Sequence, residues 1–285
     1  MSMRQSTVIC VCGAGTMGSG IAQLSAQAGF TTIQFDVSEP MLEKSRQQII
    51  ASLDTLVTKG KISSDEKAGT LSRLHFTSDI QSCRADVIIE AIVEKMEIKT
   101  TLFTQLAAIN SPSTILASNT SSISISSLAA GIPHPERVAG LHFFNPAPVM
   151  KLVEIVKGNA TSQQTITQLR ELAKAMGKTT VVCKDAPGFI VNRVARPYYL
   201  EALRLAEQGF THPAQADRLL EATGFKMGPF KLMDLIGMDV NFAVSNIVWE
   251  ALGQPPRLKP SALQQQKVSE GNLGRKTGKG FYEYN

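Results

Sequence analysis

The chain has 285 residues, of which 43% are hydrophobic and 19% charged, and its formal net charge at pH 7 is +5. This composition predicts a globular protein with one main domain and one smaller domain, and it excludes fibrous and intrinsically disordered proteins. Because the lysines and arginines are scattered and form no basic patch interleaved with aromatic residues, we expect no nucleic-acid partner; the mild excess of cations suits small anionic ligands.

The N-terminal half predicts strands that alternate with helices. The segment TVICVCGAGTMGSGIAQLSAQAGFTTIQFD contains an apolar strand, a glycine turn, a helix and a second strand that ends at Asp36. Residues 41–72 are polar with helical periodicity, which indicates a helical insertion before the next strand. Further apolar strands are predicted from Asp86, Thr114, Arg137, Lys151 and Thr179. This alternation predicts a Rossmann-like α/β domain with a doubly wound, mostly parallel sheet.

Strand patterns stop at the Pro-Gly pair within KDAPGFIVNRV, residues 184–194. We therefore predict two domains, 1–185 with the nucleotide-binding sheet and 186–285 with helices alone. Helices are predicted over 189–208, 212–223, 232–252 and 262–268, with Pro197 as a kink in the first of them.

The N-terminal residues lead directly into a strand, so no cleavable leader is expected, and no apolar run reaches the roughly 18 residues of a membrane span. The four cysteines are Cys10, Cys12, Cys83 and Cys183. They show no CxxC or Cys/His ligand spacing, so we predict no metal site and interpret them as small core residues in a reducing compartment. The expected location is the cytoplasm.

A glycine loop follows the first strand. Gly13, Gly15 and Gly18 satisfy the pattern G-x-G-x-x-G, which permits a tight turn, a close approach of the backbone to a pyrophosphate, and close packing of helix on strand. The pyrophosphate would face N–H groups at a helix N-terminus. Asp36 would accept hydrogen bonds from the ribose hydroxyls of the adenosine and repel a 2′-phosphate, and no arginine follows it in VSEP. NAD is therefore the predicted cofactor, rather than NADP.

The segment GLHFFNPAPVMKLVEIV, residues 140–156, has two strand patterns around a proline-rich turn. An antiparallel hairpin centred on Pro148 would place His142 directly opposite Glu154. A carboxylate in that position fixes the imidazole tautomer and favours the protonated ring, as a base needs when it takes a proton from an alcohol during hydride transfer. The alternative is a hydrogen-bonded structural histidine; the neighbouring nucleotide motif favours the catalytic role.

The polar run ASNTSS, residues 117–122, ends a predicted strand at the carboxyl edge of the sheet, where open sheets bind ligands. Its hydroxyls could orient nicotinamide or a substrate oxygen, or they could serve only as turn and helix-cap residues. Asn192, just after the domain boundary, is similarly either a helix-start residue or a polar contact from the second domain.

Seven sequence motifs of this chain have the same order as the motifs of a known family. They are GAGTMGSGIAQ, EAIVEKMEIK, ASNTSS, GLHFFNPAPVMKLVEIV, PGFIVNR, MGPFKLMDLIGMD and GRKTGKGFYEY. Together they resemble the L-3-hydroxyacyl-CoA dehydrogenases, most closely the short bacterial 3-hydroxybutyryl-CoA type, over nearly the whole chain. The resemblance implies NAD-dependent interconversion of (S)-3-hydroxyacyl-CoA and 3-ketoacyl-CoA, in fatty acid β-oxidation or butanoate metabolism.

The resemblance also implies roles for individual positions. His142 would be the general base and Glu154 its orienting partner, while Ser121 and Asn192 would hydrogen-bond the reacting oxygen. The implied cofactor-binding positions are Gly13, Ala14, Gly15, Thr16, Met17, Gly18, Asp36, Glu94, Lys99, Ser121 and Asn145.

For coenzyme A, the resemblance implies Ser52 and Lys59, with Ser121 at the acyl end. Ser52 and Lys59 are two helical turns apart in the predicted insertion and share one face, although Lys59 could also be a solvated surface cation. A homodimer through the C-terminal helices is implied as well. The aromatic and apolar residues that could contribute to it, or could be internal core, are Tyr198, Tyr199, Phe230, Ile236 and Trp249.

Two other functions stay open. Hydroxyacid dehydrogenases that share a nucleotide loop and a helical second domain depend on a lysine for proton transfer; the His142 and Glu154 pair and the inserted 41–72 segment argue against them. A nucleotide-binding protein without enzymatic activity would be expected to lack a candidate catalytic residue, and none is missing here.

Overall fold

A computed structural model of the chain describes residues 7–284. These residues divide into two compact units, and the division falls between Asp185 and Ala186.

Eight strands form one sheet in the described part of the first unit. They are β1 Val8–Cys12, β2 Thr31–Phe35, β3 Leu74–Thr77, β4 Val87–Glu90, β5 Ile115–Ser118, β6 Val138–Phe143, β7 Leu152–Lys157 and β8 Thr179–Lys184. Their order is β3-β2-β1-β4-β5-β6-β7-β8, and all neighbours are parallel except β6 and β7, which are antiparallel. The predicted doubly wound, mostly parallel sheet is therefore confirmed.

The helices of the first unit are α1 Thr16–Gln27, α2 Glu39–Thr58, α3 Ser64–Ser72, α4 Met96–Ile109, α5 Ile125–Ala129 and α6 Gln163–Ala175. Helices α2 and α3 form the insertion that the sequence predicted. A capping box starts α3, because the Ser63 side chain accepts from the Glu66 N–H while the Glu66 carboxylate accepts from the Ser63 N–H.

The core of this unit lies between the sheet and its helices. Strands β1 and β4 are almost entirely apolar and buried, as expected for parallel strands covered on both faces. Their side chains pack with those of α1, α6 and the central strands β6 and β7 in one cluster that includes Val11, Ile21, Ile89, Leu141 and Leu169. The sheet is thus a rigid base for the loops at its carboxyl edge.

Strand β3 was not predicted from the sequence. It has four residues, of which only Leu74 is buried, and it forms the outer edge of the sheet beside β2, with Leu74 opposite Thr32. A short edge strand with one buried side chain has too little alternation to be recognised from its pattern.

The second unit is helical, with α7 Val191–Glu207, α8 Pro213–Ala222, α9 Pro229–Ile236, α10 Met238–Ala251 and α11 Ala262–Ser269. The single helix predicted over 232–252 is wrong: Gly237 has a φ of 102° and separates α9 from α10. Helix α7 continues through Pro197. Two of the proposed dimer-contact residues, Tyr199 and Phe230, are buried in the core of this unit, which settles them as internal.

A buried carboxylate ties the C-terminal segment to α9. Asp234 accepts hydrogen bonds from the N–H groups of Phe281 and Tyr282 (2.9 and 3.0 Å) and from the Tyr284 hydroxyl (2.9 Å). Desolvation, together with the hydrogen bond to Asp234, raises the pKa of Tyr284 to about 12. A side chain at Gly280 would meet Asp234 Oδ1 at 2.2 Å, which explains the glycine in GKGFYEY.

Candidate active site

The glycine loop has the geometry that a dinucleotide needs. Gly13 has a φ of 114°, and a Cβ atom on it would lie 2.5 Å from the Ala91 carbonyl oxygen; a Cβ on Gly18 would lie 2.0 Å from the Gly13 carbonyl oxygen. A Cβ on Gly15 would meet nothing within 4 Å, so this position faces open space. Helix α1 begins at Thr16 with no side-chain cap and no acidic residue in its first turn. Its N-terminal N–H groups are therefore suited to a pyrophosphate.

Asp36 lies beside this loop. It follows the last residue of β2 directly, is half-buried, and accepts hydrogen bonds from the N–H groups of Ala14 (2.8 Å) and Ser38 (3.0 Å). These bonds hold a fixed carboxylate next to the glycine loop, where it can receive ribose hydroxyls. The residues present therefore fit NAD.

His142 and Glu154 face each other across the antiparallel pair β6 and β7, in the register predicted from the sequence. His142 Nδ1 lies 2.8 Å from Glu154 Oε2, and the two residues are 6% and 1% exposed. The ring of Phe144 packs against the imidazole, with the two centroids 4.5 Å apart. The pair is thus shielded from water, which strengthens electrostatic interactions at this position.

The loop between β6 and β7 is held in place by a buried lysine. Lys178 Nζ donates to the carbonyl oxygens of Ala147 (2.6 Å) and Met150 (2.8 Å), and burial lowers the pKa of Lys178. The peptide bond between Asn145 and Pro146 in the same loop is cis. Asn145, one of the implied cofactor-binding residues, is exposed at this point.

Glu90 is the centre of a buried polar network that was not predicted from the sequence. It is fully buried at the end of β4; Oε1 accepts from Lys99 Nζ (2.5 Å) and from the Ile92 N–H (2.7 Å), and Oε2 accepts from Ser118 Oγ (2.6 Å). Lys99 is 1% exposed and also contacts Glu94 at 3.1 Å. The sequence signal for this network was Glu90 itself, an acidic residue that directly follows the apolar residues of DVIIE.

Glu94 connects this network to the loop after β5. Its Oε1 accepts from Thr120 Oγ1 (2.5 Å), the Ser121 N–H (3.1 Å) and Ser122 Oγ (2.9 Å). Desolvation alone would raise the pKa of Glu94, but the charge of Lys99 and the hydrogen bonds from Thr120 and Ser122 outweigh it, and the net pKa is lowered. Three implied site residues, Glu94, Lys99 and Ser121, are therefore joined in one network.

Other implied residues lie elsewhere. Ser52 is half-buried on α2, and Lys59, the C-terminal cap of that helix, is exposed with no carboxylate within 4 Å of its Nζ among residues 7–284. Asn192 is the second residue of α7 in the second unit.

The four cysteines are free thiols; three are buried and Cys183 is half-buried. Desolvation, with the charge of Glu154 nearby, raises the pKa of Cys183 to about 12. Within the described part of the chain, no group of three His, Cys, Asp or Glu side chains is arranged to hold a metal ion, and no helix has the length and apolar character needed to cross a bilayer.

Comparison with known proteins identifies the family of both units. The family model described as 3-hydroxyacyl-CoA dehydrogenase, NAD binding domain, matches residues 8–186, and the model for the C-terminal domain of the same family matches residues 188–284.

Individual relatives agree with these matches. The chain is 49% identical to 3-hydroxyadipyl-CoA dehydrogenase of Escherichia coli K12, over 97% of this chain and 58% of that protein, so it spans little more than half of that relative. It is 42% identical to a probable 3-hydroxybutyryl-CoA dehydrogenase of Deinococcus radiodurans, over 96% of this chain and 99% of that one. The crystal structure of (S)-3-hydroxybutyryl-CoA dehydrogenase PaaH1 from Ralstonia eutropha superimposes with a TM-score of 0.93 at 36% identity, covering 98% of this chain and 99% of that chain.

Proposed function

Because the chain belongs to the 3-hydroxyacyl-CoA dehydrogenase family, we propose that it interconverts (S)-3-hydroxyacyl-CoA and 3-ketoacyl-CoA with NAD, on short acyl groups such as 3-hydroxybutyryl, in fatty acid or butanoate metabolism. The observation that supports the proposal best is the buried pair of His142 and Glu154. The sheet that holds this pair also begins with β1, and the glycine loop between β1 and α1 fits a dinucleotide. The relatives' names cover both a monocarboxylic and a dicarboxylic acyl group, so the residues of this chain must decide between them.

In the proposed reaction His142 moves the proton. NAD, when bound, would supply the acceptor for the hydride from C3 of the substrate. The C3 hydroxyl gives its proton to the imidazole as the C–H electron pair departs, so that a C3 carbonyl forms; the reverse reaction returns the proton. Because Nδ1 faces Glu154, Nε2 is the nitrogen that exchanges the proton with substrate.

Glu154 stabilises the charge that develops on the imidazole. For two unit charges about 4 Å apart at an effective dielectric constant near 20, the attraction is about 4 kcal/mol. Glu154 is 1% exposed, so it is already fixed in position and needs no reorganisation of water during the reaction.

The cofactor is proposed to bind along the carboxyl edge of the sheet. The pyrophosphate would be held by the N–H groups of the glycine loop and the first turn of α1, residues 13–18, and the adenosine ribose by Asp36. Glu94, Lys99 and Asn145 would hold the nicotinamide end. The network around Glu90 supports this assignment, because it fixes the side chains of Glu94 and Lys99.

Four further residues are proposed to bind the substrate. Ser121 and Asn192 would hydrogen-bond the reacting oxygen, and Ser52 and Lys59 would bind coenzyme A. The exposed and unpaired Lys59 ammonium supports this role, because coenzyme A carries phosphate groups.

Replacing His142 by Gln tests the proposal. Turnover of acetoacetyl-CoA with NADH should fall by several orders of magnitude because the proton donor is lost, while the affinity for NADH, measured by fluorescence titration, should stay unchanged. The same assay with NADPH should show much weaker activity. Near-normal turnover in the variant would remove His142 from the mechanism, and the absence of activity of the unmodified protein on any 3-ketoacyl-CoA would refute the function.

We also propose a cytoplasmic homodimer that associates through the helices of the second unit. Leu235, Ile236 and Val240 on α9 and α10 are all more than 40% exposed, which supports an apolar contact there. Light scattering coupled to size exclusion should give twice the mass of one chain, and Val240→Asp should shift it toward one chain; a monomeric unmodified protein would contradict the proposal.

A further inference from the structure

Arg196, on α7, is a buried cation whose partners are all neutral. It is 3% exposed, and no carboxylate of residues 7–284 lies within 4 Å of its guanidinium nitrogens. Its Nε donates to the Asn192 carbonyl oxygen (3.1 Å), and its Nη1 donates to the Asn241 carbonyl oxygen and to Ser245 Oγ (both 3.0 Å). Desolvation lowers the pKa of Arg196 to about 10. A guanidinium in this position is costly to bury unless an anion compensates it.

A second donor beside Arg196 also lacks an acceptor. Asn241 is 1% exposed and its Nδ2 has no hydrogen-bond partner, whereas its Oδ1 accepts from Gln264 Nε2 (2.7 Å). Exchanging the amide atoms of Asn241 would not help, because two NH2 groups would then face each other, and Gln264 Oε1 already accepts from the Ser261 N–H (3.3 Å). The same network thus contains a cation without a carboxylate partner and an unsatisfied donor, and a carboxylate is the acceptor that suits either group.

Two other buried cations serve to fasten loops. Arg137 donates to the carbonyl oxygens of Ser111 and Thr114, and Lys178 donates to two carbonyls of the β6–β7 loop, although Arg137 Nε has no hydrogen-bond partner. Arg196 joins α7 to α10 through its bonds to Asn241 and Ser245, and its guanidinium lies over the Tyr199 ring, 5.0 Å from the centroid. Unlike the other two, it also lies one helical turn from a proposed substrate-binding residue, Asn192.

We propose that Arg196 is a specificity-determining residue that binds a carboxylate at the far end of a short acyl chain. The inference rests on the proposed function, in which Asn192 holds the oxygen on C3. Residues four apart on a helix have their Cβ atoms about 5–6 Å apart, and the three carbon–carbon bonds from C3 to C6 followed by one hydrogen bond cover that separation. The substrate class is therefore the CoA thioester of a six-carbon 3-hydroxy dicarboxylic acid, and an uncharged acyl end would leave the guanidinium unpaired.

The test compares three substrates on one enzyme preparation: 3-oxoadipyl-CoA, its ω-methyl ester, which has the same chain without the charge, and acetoacetyl-CoA. The unmodified protein should have a kcat/KM for 3-oxoadipyl-CoA at least ~10-fold above that for the ester, since a hydrogen bond to a charged group is worth that much or more. Equal values would overturn the proposal without any variant. If the protein reduces acetoacetyl-CoA but shows no such preference, only this inference fails; if it reduces none of the three, the proposed function fails.

Variants then assign the preference to one side chain. Arg196→Met should abolish the preference chiefly through KM for 3-oxoadipyl-CoA, and Arg196→Lys should retain part of it. Arg193→Met is the matched control, because Arg193 is an exposed arginine on the same helix and its loss lowers the net charge equally. The assignment would be overturned if the preference for 3-oxoadipyl-CoA were undiminished in both Arg196→Met and Arg196→Lys, or if Arg193→Met lowered it equally. Should Arg196→Met fail to fold, the comparison of 3-oxoadipyl-CoA with its ester in Arg196→Lys decides, and an undiminished preference there would overturn the assignment.

Discussion

Replacing Glu154 by Gln removes the charge beside His142 while leaving a side chain of nearly the same shape. Gln can still accept a hydrogen bond from Nδ1, across the 2.8 Å that now separates Nδ1 from Glu154 Oε2. The substitution therefore tests the negative charge itself rather than the packing of the pair.

The expected loss follows from the burial of the pair. Full ion-pair attraction at about 4 Å and an effective dielectric constant near 20 is about 4 kcal/mol. If the imidazole carries about half a charge in the transition state, about 2 kcal/mol is lost, and kcat falls ~30-fold. A Gln that turns its NH2 toward Nδ1 would also favour the wrong tautomer and deepen the loss, but the effect should stay smaller than that of His142→Gln.

The assay is the steady-state reduction of acetoacetyl-CoA, followed by the absorbance of NADH, with NADH affinity and thermal unfolding measured in parallel. Glu136→Gln is the matched control, because Glu136 contacts His134 at 3.3 Å on the surface, with both side chains about half exposed. That variant should keep kcat within about twofold, as expected for an exposed pair. A kcat of Glu154→Gln within threefold of the unmodified protein would refute the electrostatic role of Glu154.

Four further outcomes are expected. Asp36→Ala should weaken NADH binding ~10-fold and narrow the discrimination against NADPH, measured by fluorescence titration of both; an unchanged ratio of affinities would count against Asp36 as the ribose acceptor. Glu90→Gln should lower the free energy of unfolding in urea by about 3 kcal/mol, because the buried ammonium of its network loses a charged partner, and an unaltered urea midpoint would contradict this. The lowered pKa of Glu94 means that its stabilising contribution is present above its ordinary value of 4.5 and is lost as the pH falls through the lowered pKa, so hydrogen exchange of the Ser121 amide, corrected for intrinsic rates, should accelerate only in strong acid. Asp234→Asn should lower the unfolding free energy of the second unit by about 2 kcal/mol, seen as a lower melting temperature, because three donors then face an uncharged amide.

Contacts between chain neighbours and strand partners explain what the sequence could predict. The glycine loop, the βαβ unit and Asp36 lie within one short stretch, where each residue type has a direct steric or electrostatic reason. The pairing of His142 with Glu154 was predictable because an antiparallel hairpin relates its two strands by simple symmetry about the turn, and the observed register agrees.

The tertiary structure alone decided the rest. Strand β3 depends on its pairing with β2, and the break between α9 and α10 depends on the positive φ of Gly237. The roles of Glu90 and Arg196 depend in part on distant partners, such as Ser118, 28 positions from Glu90, and Ser245, 49 positions from Arg196. A buried charge shows its purpose only when the groups around it are known, because the low local dielectric makes those groups, rather than the residue's own sequence neighbours, control its free energy.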